Sequence, residues 1–302
     1  MEESEELAAR RAKLSGYHQR GRNILRAQTH AIDSLIHALH EHELDPAIDR
    51  EAFRVPLLML QAIGVSIHSV LELTRERNMG IRDCFGIVRA AVETAINAAF
   101  IAVSGEYTAE KAIRHMRQKR WRDLHRQGRV GNIRITASRD VDLEVDDLPG
   151  LREALDEYTN KRGEEVRDWT AESLQKRIAI ISDFHRRAGL SLGVAQFAIY
   201  RPASELLHGT YYGVNLFWQG SRDRPAKNGD EFDALWVTEH FVTLLTALFF
   251  AVSGAIDAIA SVHSLAGHSK RQDALSQELS VLIEQMGGDD DDDEHTFSTE
   301  SA

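Results

Sequence analysis

The chain has 302 residues, 43% hydrophobic and 27% charged, with one cysteine, five prolines and a formal net charge of −11. That length and composition exclude a wholly disordered chain and a small disulfide-stapled scaffold, and a single thiol excludes an internal disulfide or a cysteine-based zinc cluster. Seven of the negative charges stand at Asp289–Asp293, Glu294 and Glu300, so the rest of the chain carries only −4 and can still present a basic face.

Abundant Ala, Leu, Glu and Arg with little proline favour helix, and the predicted fold is an all-α antiparallel helical bundle. A first helix over 3–43 carries its clear apolar stripe late, at Ile24, Leu25, Ile32, Leu35, Ile36 and Leu39, which predicts docking by its C-terminal half. A second helix over 46–78, kinked or restarted at Pro56, ends at a left-handed Gly80. A third runs from Ile81 to about Val103, and a fourth from Thr108 to about Gln127. The alternating runs Ile133–Ile135 and Val141–Val145 predict a short β-hairpin near 133–145. Further helices follow over 150–166 and from Thr170 to Ala188; Gly189–Gly193 reads as a turn, and another helix covers 195–218.

After a loop over Gln219–Asp230, a long core helix spans 231–265 and an amphipathic one 269–286. Its uncharged run Phe241–Ile256 is shorter than the ~20 residues that cross a bilayer, so no stable membrane insertion is expected. The acidic N-terminus lacks the plan of a signal peptide, which predicts a cytoplasmic location. The predicted organisation is a partly docked helix over 1–45, a bundle over 46–286 and a disordered acidic tail over 287–302. Cys84, in an apolar run, reads as a buried inert thiol.

Two polar constellations interrupt apolar helices. Arg89 and Glu93 are four residues apart, on one face of the third helix and able to pair, either as a structural ion pair or as the wall of a polar pocket. Arg201, Ser204 and His208 fall at i, i+3 and i+7, one face if the helix continues through Pro202. A guanidinium, a hydroxyl and an imidazole placed so can hold an anionic oxygen and move a proton, or can satisfy one another or the Arg89–Glu93 pair. A third signal is basic: Arg114, Arg117, Lys119, Arg120, Arg122 and Arg126 surround Trp121, with an acid-rich stretch following over 140–157 that includes Asp140, Asp142, Glu144, Asp146 and Asp147. That mixture suits contacts to RNA or another polyanion, unless the neighbouring acids neutralise it. The histidines form no convincing ligand set, so neither metal nor cofactor is expected.

Arg89-x-x-x-Glu93, then Trp169, then Tyr200-Arg201-x-x-Ser204-x-x-x-His208-Gly209 resemble a family of uncharacterised bacterial helical proteins, domain of unknown function number 5677. The resemblance covers roughly residues 60–220 and implies a helical bundle and no particular activity. More loosely, Arg201 and His208, with six residues between them, resemble the motif of the HEPN superfamily, many of whose members are metal-independent ribonucleases; Arg120 and His125 also fit that spacing. That resemblance implies His208 acting on a ribose 2′-hydroxyl, Arg201 stabilising the phosphate, and a homodimer. Two functions stay open: a HEPN-like RNA-acting protein, as in stress or phage defence, or a non-catalytic interaction or sensing module whose polar motif is structural.

Overall fold

The computed structural model describes residues 5–42, 50–138 and 144–296. In chain order it forms α1 (Glu5–His42), α2 (Arg50–Leu73), α3 (Ile81–Ser104), α4 (Glu106–Leu124), a hairpin of β1 (His125–Val130) and β2 (Ile133–Ser138), and a 3₁₀ turn (Val145–Asp147). There follow α5 (Leu151–Glu157), α6 (Leu174–Phe184), α7 (Arg186–Leu207), α8 (Tyr211–Gln219), α9 (Gly229–Leu235), a π turn (Trp236–Phe241), α10 (Val242–Val262) and α11 (Ala266–Thr296). The fold is an all-α bundle with one short hairpin.

The most apolar helices take the centre, because a helix hydrophobic on every side must be covered on every side. Leu244, Leu248, Val252 and Ile256 of α10 are sealed, and α10 packs against α3 and α7. α2 lies outside α3, α6 fits against α3 and α7, and α1 and α11 cover the remaining side of α10. α4 and α5 sit beyond α2. Phe53–Leu73, Ile81–Ser104 and Gly229–Val262 are each long and apolar enough to cross a membrane; the last of them continues well beyond the short run Phe241–Ile256 on which the sequence argument rested.

Several boundaries differ from those the sequence predicts, each for a local reason. α2 continues through Pro56 and stops at Leu73. Gly80 is right-handed, not left-handed, and caps the start of α3, held by the Asn78 side chain, whose Oδ1 accepts the Gly80 N–H at 2.8 Å. α4 begins at Glu106, directly after Gly105, whose φ of +80° turns the chain at once. The hairpin forms earlier than expected, with His125 opposite Ser138 and Val130 opposite Ile133 around Gly131; Val145 opens the 3₁₀ turn, and 139–143 lie outside the described residues.

α5 is only Leu151–Glu157, and a single bridge between Thr159 and Glu165 follows it. Gly189 and Gly193 are no turn but lie within α7, where Gly189 lets α6 approach: a Cβ there would fall on Ser182. α7 also runs through Pro202, which leaves Arg201 helical. Burial on α1 begins at Leu14, earlier than its apolar stripe, and includes Tyr17, His18 and Arg22. α11 extends past Gly287 and Gly288 to Thr296; of the residues 287–302 read as a disordered tail, 297–302 lie outside the described residues.

Candidate functional site

Gly86, Arg89, Glu93 and Asn97 follow helical spacing along the face of α3 that meets α6 and α7. Arg89 Nε donates to Glu93 Oε1 at 3.2 Å, so the predicted pair forms, half-buried rather than sealed. The Arg89 guanidinium stands 4.4 Å from the ring centroid of Tyr200 on α7. Burial works against its charge, but Tyr200 and Glu93 outweigh that and hold its pKa above the usual arginine value.

Arg177 of α6 continues the layer. Its Nη1 donates to Asn97 Oδ1 at 2.6 Å and its Nε to the Glu172 carbonyl at 2.9 Å, and its guanidinium lies 5.3 Å from the ring of Trp169. Burial lowers the Arg177 pKa despite nearby Asp168 and Glu172. Trp169 in turn leans on Phe100 of α3. Two cations, each satisfied by an aromatic face and an oxygen, thus lock α3, α6 and α7 together. The sequence reading singled out neither Asn97 nor Arg177; the place of Asn97 four residues after Glu93 is a signal for it, whereas the partners of Arg177 come from distant segments.

Tyr200, not Arg201, answers the Arg89–Glu93 pair. Arg201 is exposed, with its guanidinium 5.8 Å from the ring of Tyr212 on α8. Ser204, partly buried, gives its carbonyl to the His208 N–H at 3.0 Å. His208 follows the last residue of α7 with φ −76° and ψ −6°, still right-handed, so the helical phase carries through it and keeps it on the side of Arg201. Its imidazole is exposed.

Gly209, at φ +63°, then breaks the helix. Thr210 caps α8, accepting the Gly213 N–H at 3.0 Å and donating to Glu205 at 2.8 Å. Arg82 of α3 donates to the Leu206 carbonyl at 3.2 Å, a positive charge at the C-terminal end of α7. The end that carries His208 is therefore tied down from two sides while the imidazole itself is open.

Part of the basic stretch is paired with acids and part is held by neutral oxygens. Arg114 Nε pairs with Glu157 at 2.7 Å, Lys119 pairs with Glu165, Arg122 donates to Thr159 at 2.8 Å, and Arg117 reaches the Pro149 carbonyl at 3.4 Å. Glu157 belongs to α5, within the acid-rich stretch 140–157, and Glu165 to the segment after it; 140–143 lie outside the described residues. Arg120 is exposed. Trp121, Arg122, Arg126 and Glu165 line a cleft of about 540 Å³ on this side. α4 packs on α2, α3 and α5, and α7 on α3, α6, α8 and α10, so the basic stretch and His208 are carried by helices that share α3 as a neighbour. Cys84 is sealed, and burial, with Asp83 nearby, pushes its thiol up to about 12.

Comparison with curated proteins and with solved structures finds no match. The model of a family of unknown function (DUF5677) matches residues 53–225, the span that holds Arg89, Glu93, Trp169, Tyr200, Arg201, Ser204 and His208, and the chain belongs to that family.

Proposed function

We propose that the protein cleaves RNA without a metal, through His208 and Arg201. The reading is carried by one observation: both side chains are exposed on the same side of the anchored end of α7. Tyr211 and Tyr212, half or more exposed beside them, offer faces on which bases can stack. In the step proposed, the neutral His208 imidazole takes the proton of a ribose 2′-hydroxyl and the 2′ oxygen bonds to the adjacent phosphorus. The bond from phosphorus to the 5′ oxygen breaks, that oxygen takes a proton from water, and the hydroxide so formed takes back the proton held by His208. The products are a 2′,3′-cyclic phosphate and a free 5′-hydroxyl, with no change of oxidation state. Arg201 faces the charge that builds on the phosphate oxygens. Arg120, Trp121 and Arg122 would hold more distant parts of the strand. The reading places the protein in the cytoplasm as a homodimer.

The test is cleavage of single-stranded RNA in the presence of a chelator. His208→Ala and Arg201→Ala should each abolish it while moving Tm by no more than about 2 °C, because exposed side chains contribute little to stability. Affinity of the inactive variant for RNA should fall steeply with salt. Wild-type protein that neither cleaves nor binds RNA at low salt would end this reading.

A second reading, a non-catalytic interaction module, draws on a different feature. Leu190, Val194 and Phe197 of α7 point to solvent at helical spacing, with Phe197 88% exposed. Open apolar side chains in a row mark partner surfaces. Under that reading His208→Ala leaves RNA untouched, and Phe197→Glu abolishes complex formation.

A further inference from the structure

We infer that the cleft between α7, α10 and α11 binds a small uncharged polyol of monosaccharide size. The cleft, of about 400 Å³, lies at the opposite end of α7 from His208 and plays no part in the RNA reading.

Its inner wall holds an unfinished hydrogen-bond network. Gln272 of α11 is completely buried, and its Oε1 accepts from Gln28 Nε2 of α1 and from Ser253 Oγ of α10, both at 2.8 Å. That leaves the Gln272 amide nitrogen and Gln28 Oε1 without a protein partner. Turning both amides over only exchanges which atom is left, so an orphan remains on each in either arrangement. A buried polar atom without a partner is costly, and Gln272 belongs to the inner wall of the cleft.

The rest of the lining sets the class of ligand. Arg187, the cation at the rim, is held between the fully buried Asp257, at 2.9 Å, and Asp273. One guanidinium held between two carboxylates leaves no net positive charge to attract an anion. The other polar groups are neutral hydroxyls and amides, Ser191, Ser253 and Ser276 among them. Phe249 and Phe250 add an apolar wall, their rings edge to face at 5.4 Å. Hydroxyl partners beside aromatic carbon suit a ring with hydroxyls on its rim and C–H groups on its face. The volume falls within the range of small-molecule sites.

The test is calorimetric titration of the full chain with D-glucose, N-acetyl-D-glucosamine and myo-inositol, with glucose 6-phosphate and choline as charged counterparts. At least one uncharged polyol should bind saturably, and the charged probes should bind at least tenfold more weakly. Ser276→Phe, which fills the cleft from its rim, should weaken binding at least tenfold with Tm retained. Gln272→Met should weaken it equally; if that variant fails to fold, Ser276→Phe decides. Absence of saturable binding, preference for a charged probe, or binding unchanged in Ser276→Phe would each overturn the proposal.

Discussion

His18 and Arg22 stand one turn apart on α1 and meet the end of α2. Arg22 donates to the Leu71 carbonyl and, at 3.2 Å, to Thr74 Oγ1, while His18 Nε2 donates to the Thr74 carbonyl at 2.8 Å. The rings of Trp236 and Phe241 stand nearly perpendicular to the imidazole, their centroids 5.0 and 4.9 Å from its own. Burial lowers the His18 pKa from 6.5 to about 4, with Arg22 and Arg77 adding to the effect and the Thr74 carbonyl opposing it. Above pH 6.5 both folded and unfolded chains keep this ring neutral. As pH falls below 6.5 the unfolded chain takes up a proton that the folded one refuses, so stability declines until about pH 4 and then levels. The loss for this one group is about 3 kcal/mol. His115, His240 and His268, also lowered by burial, act in the same direction. Urea melts at pH 7 and pH 4.5 should show this decline, and His18→Gln should reduce it; an equal decline in the variant would assign the effect elsewhere. None of this was legible in the sequence. The stripe from Ile24 onwards announces its own burial by its period, but a polar residue is buried only if another helix offers carbonyls, and that pairing is not written locally.

At the scale of elements, glycines with the same letter do opposite things. Gly189 sits where α6 and α7 touch, and a methyl group there would meet Ser182. Gly189→Ala should therefore destabilise by about 1–3 kcal/mol, as overpacked sites do. Gly64, inside α2, has open space around it, and Gly64→Ala should stabilise by about 0.5–1 kcal/mol through helix propensity. Chemical denaturation of the two variants checks both signs. The pair also explains why helices were legible while their ends were not. Long apolar runs located α2, α3 and α10 from their own side chains, whereas α7 was divided at Gly189–Gly193. Whether Gly189 ends a helix or lets one approach depends on α6, and where α2 stops depends on Arg22 and Asn78. Likewise Tyr200 and Arg201 are adjacent in sequence, yet only the crossing of α3 by α7 decides which of them meets Arg89.

For the molecule as a whole, most of the net charge is gathered at one end of the sequence. The last described buried side chain is Met286, and all seven acids of the chain's end lie beyond it. Deleting 288–302 should leave Tm within about 2 °C. The same deletion changes the net charge from −11 to −4, so under the RNA reading affinity should rise at low salt and the gain should vanish at high salt. Melting curves and binding isotherms at two salt concentrations test the two halves separately. The fold class was legible because so much of the chain is apolar with helical period, whereas the order in which helices neighbour one another rests on side-chain fit. One such fit is the π turn at Trp236–Phe241, where Trp236 Nε1 bonds the Asn78 carbonyl at 2.7 Å and His240 the Phe217 carbonyl at 2.8 Å. A wide turn inserts one residue into a continuous rod and so offsets its two halves by about 100°. α9 and α10 therefore behave as one shaft with two differently keyed ends, the first fitted to Phe217 and Trp218, the second to α3 and α7. Loss of a single residue there would straighten the shaft and leave one key or the other out of its lock.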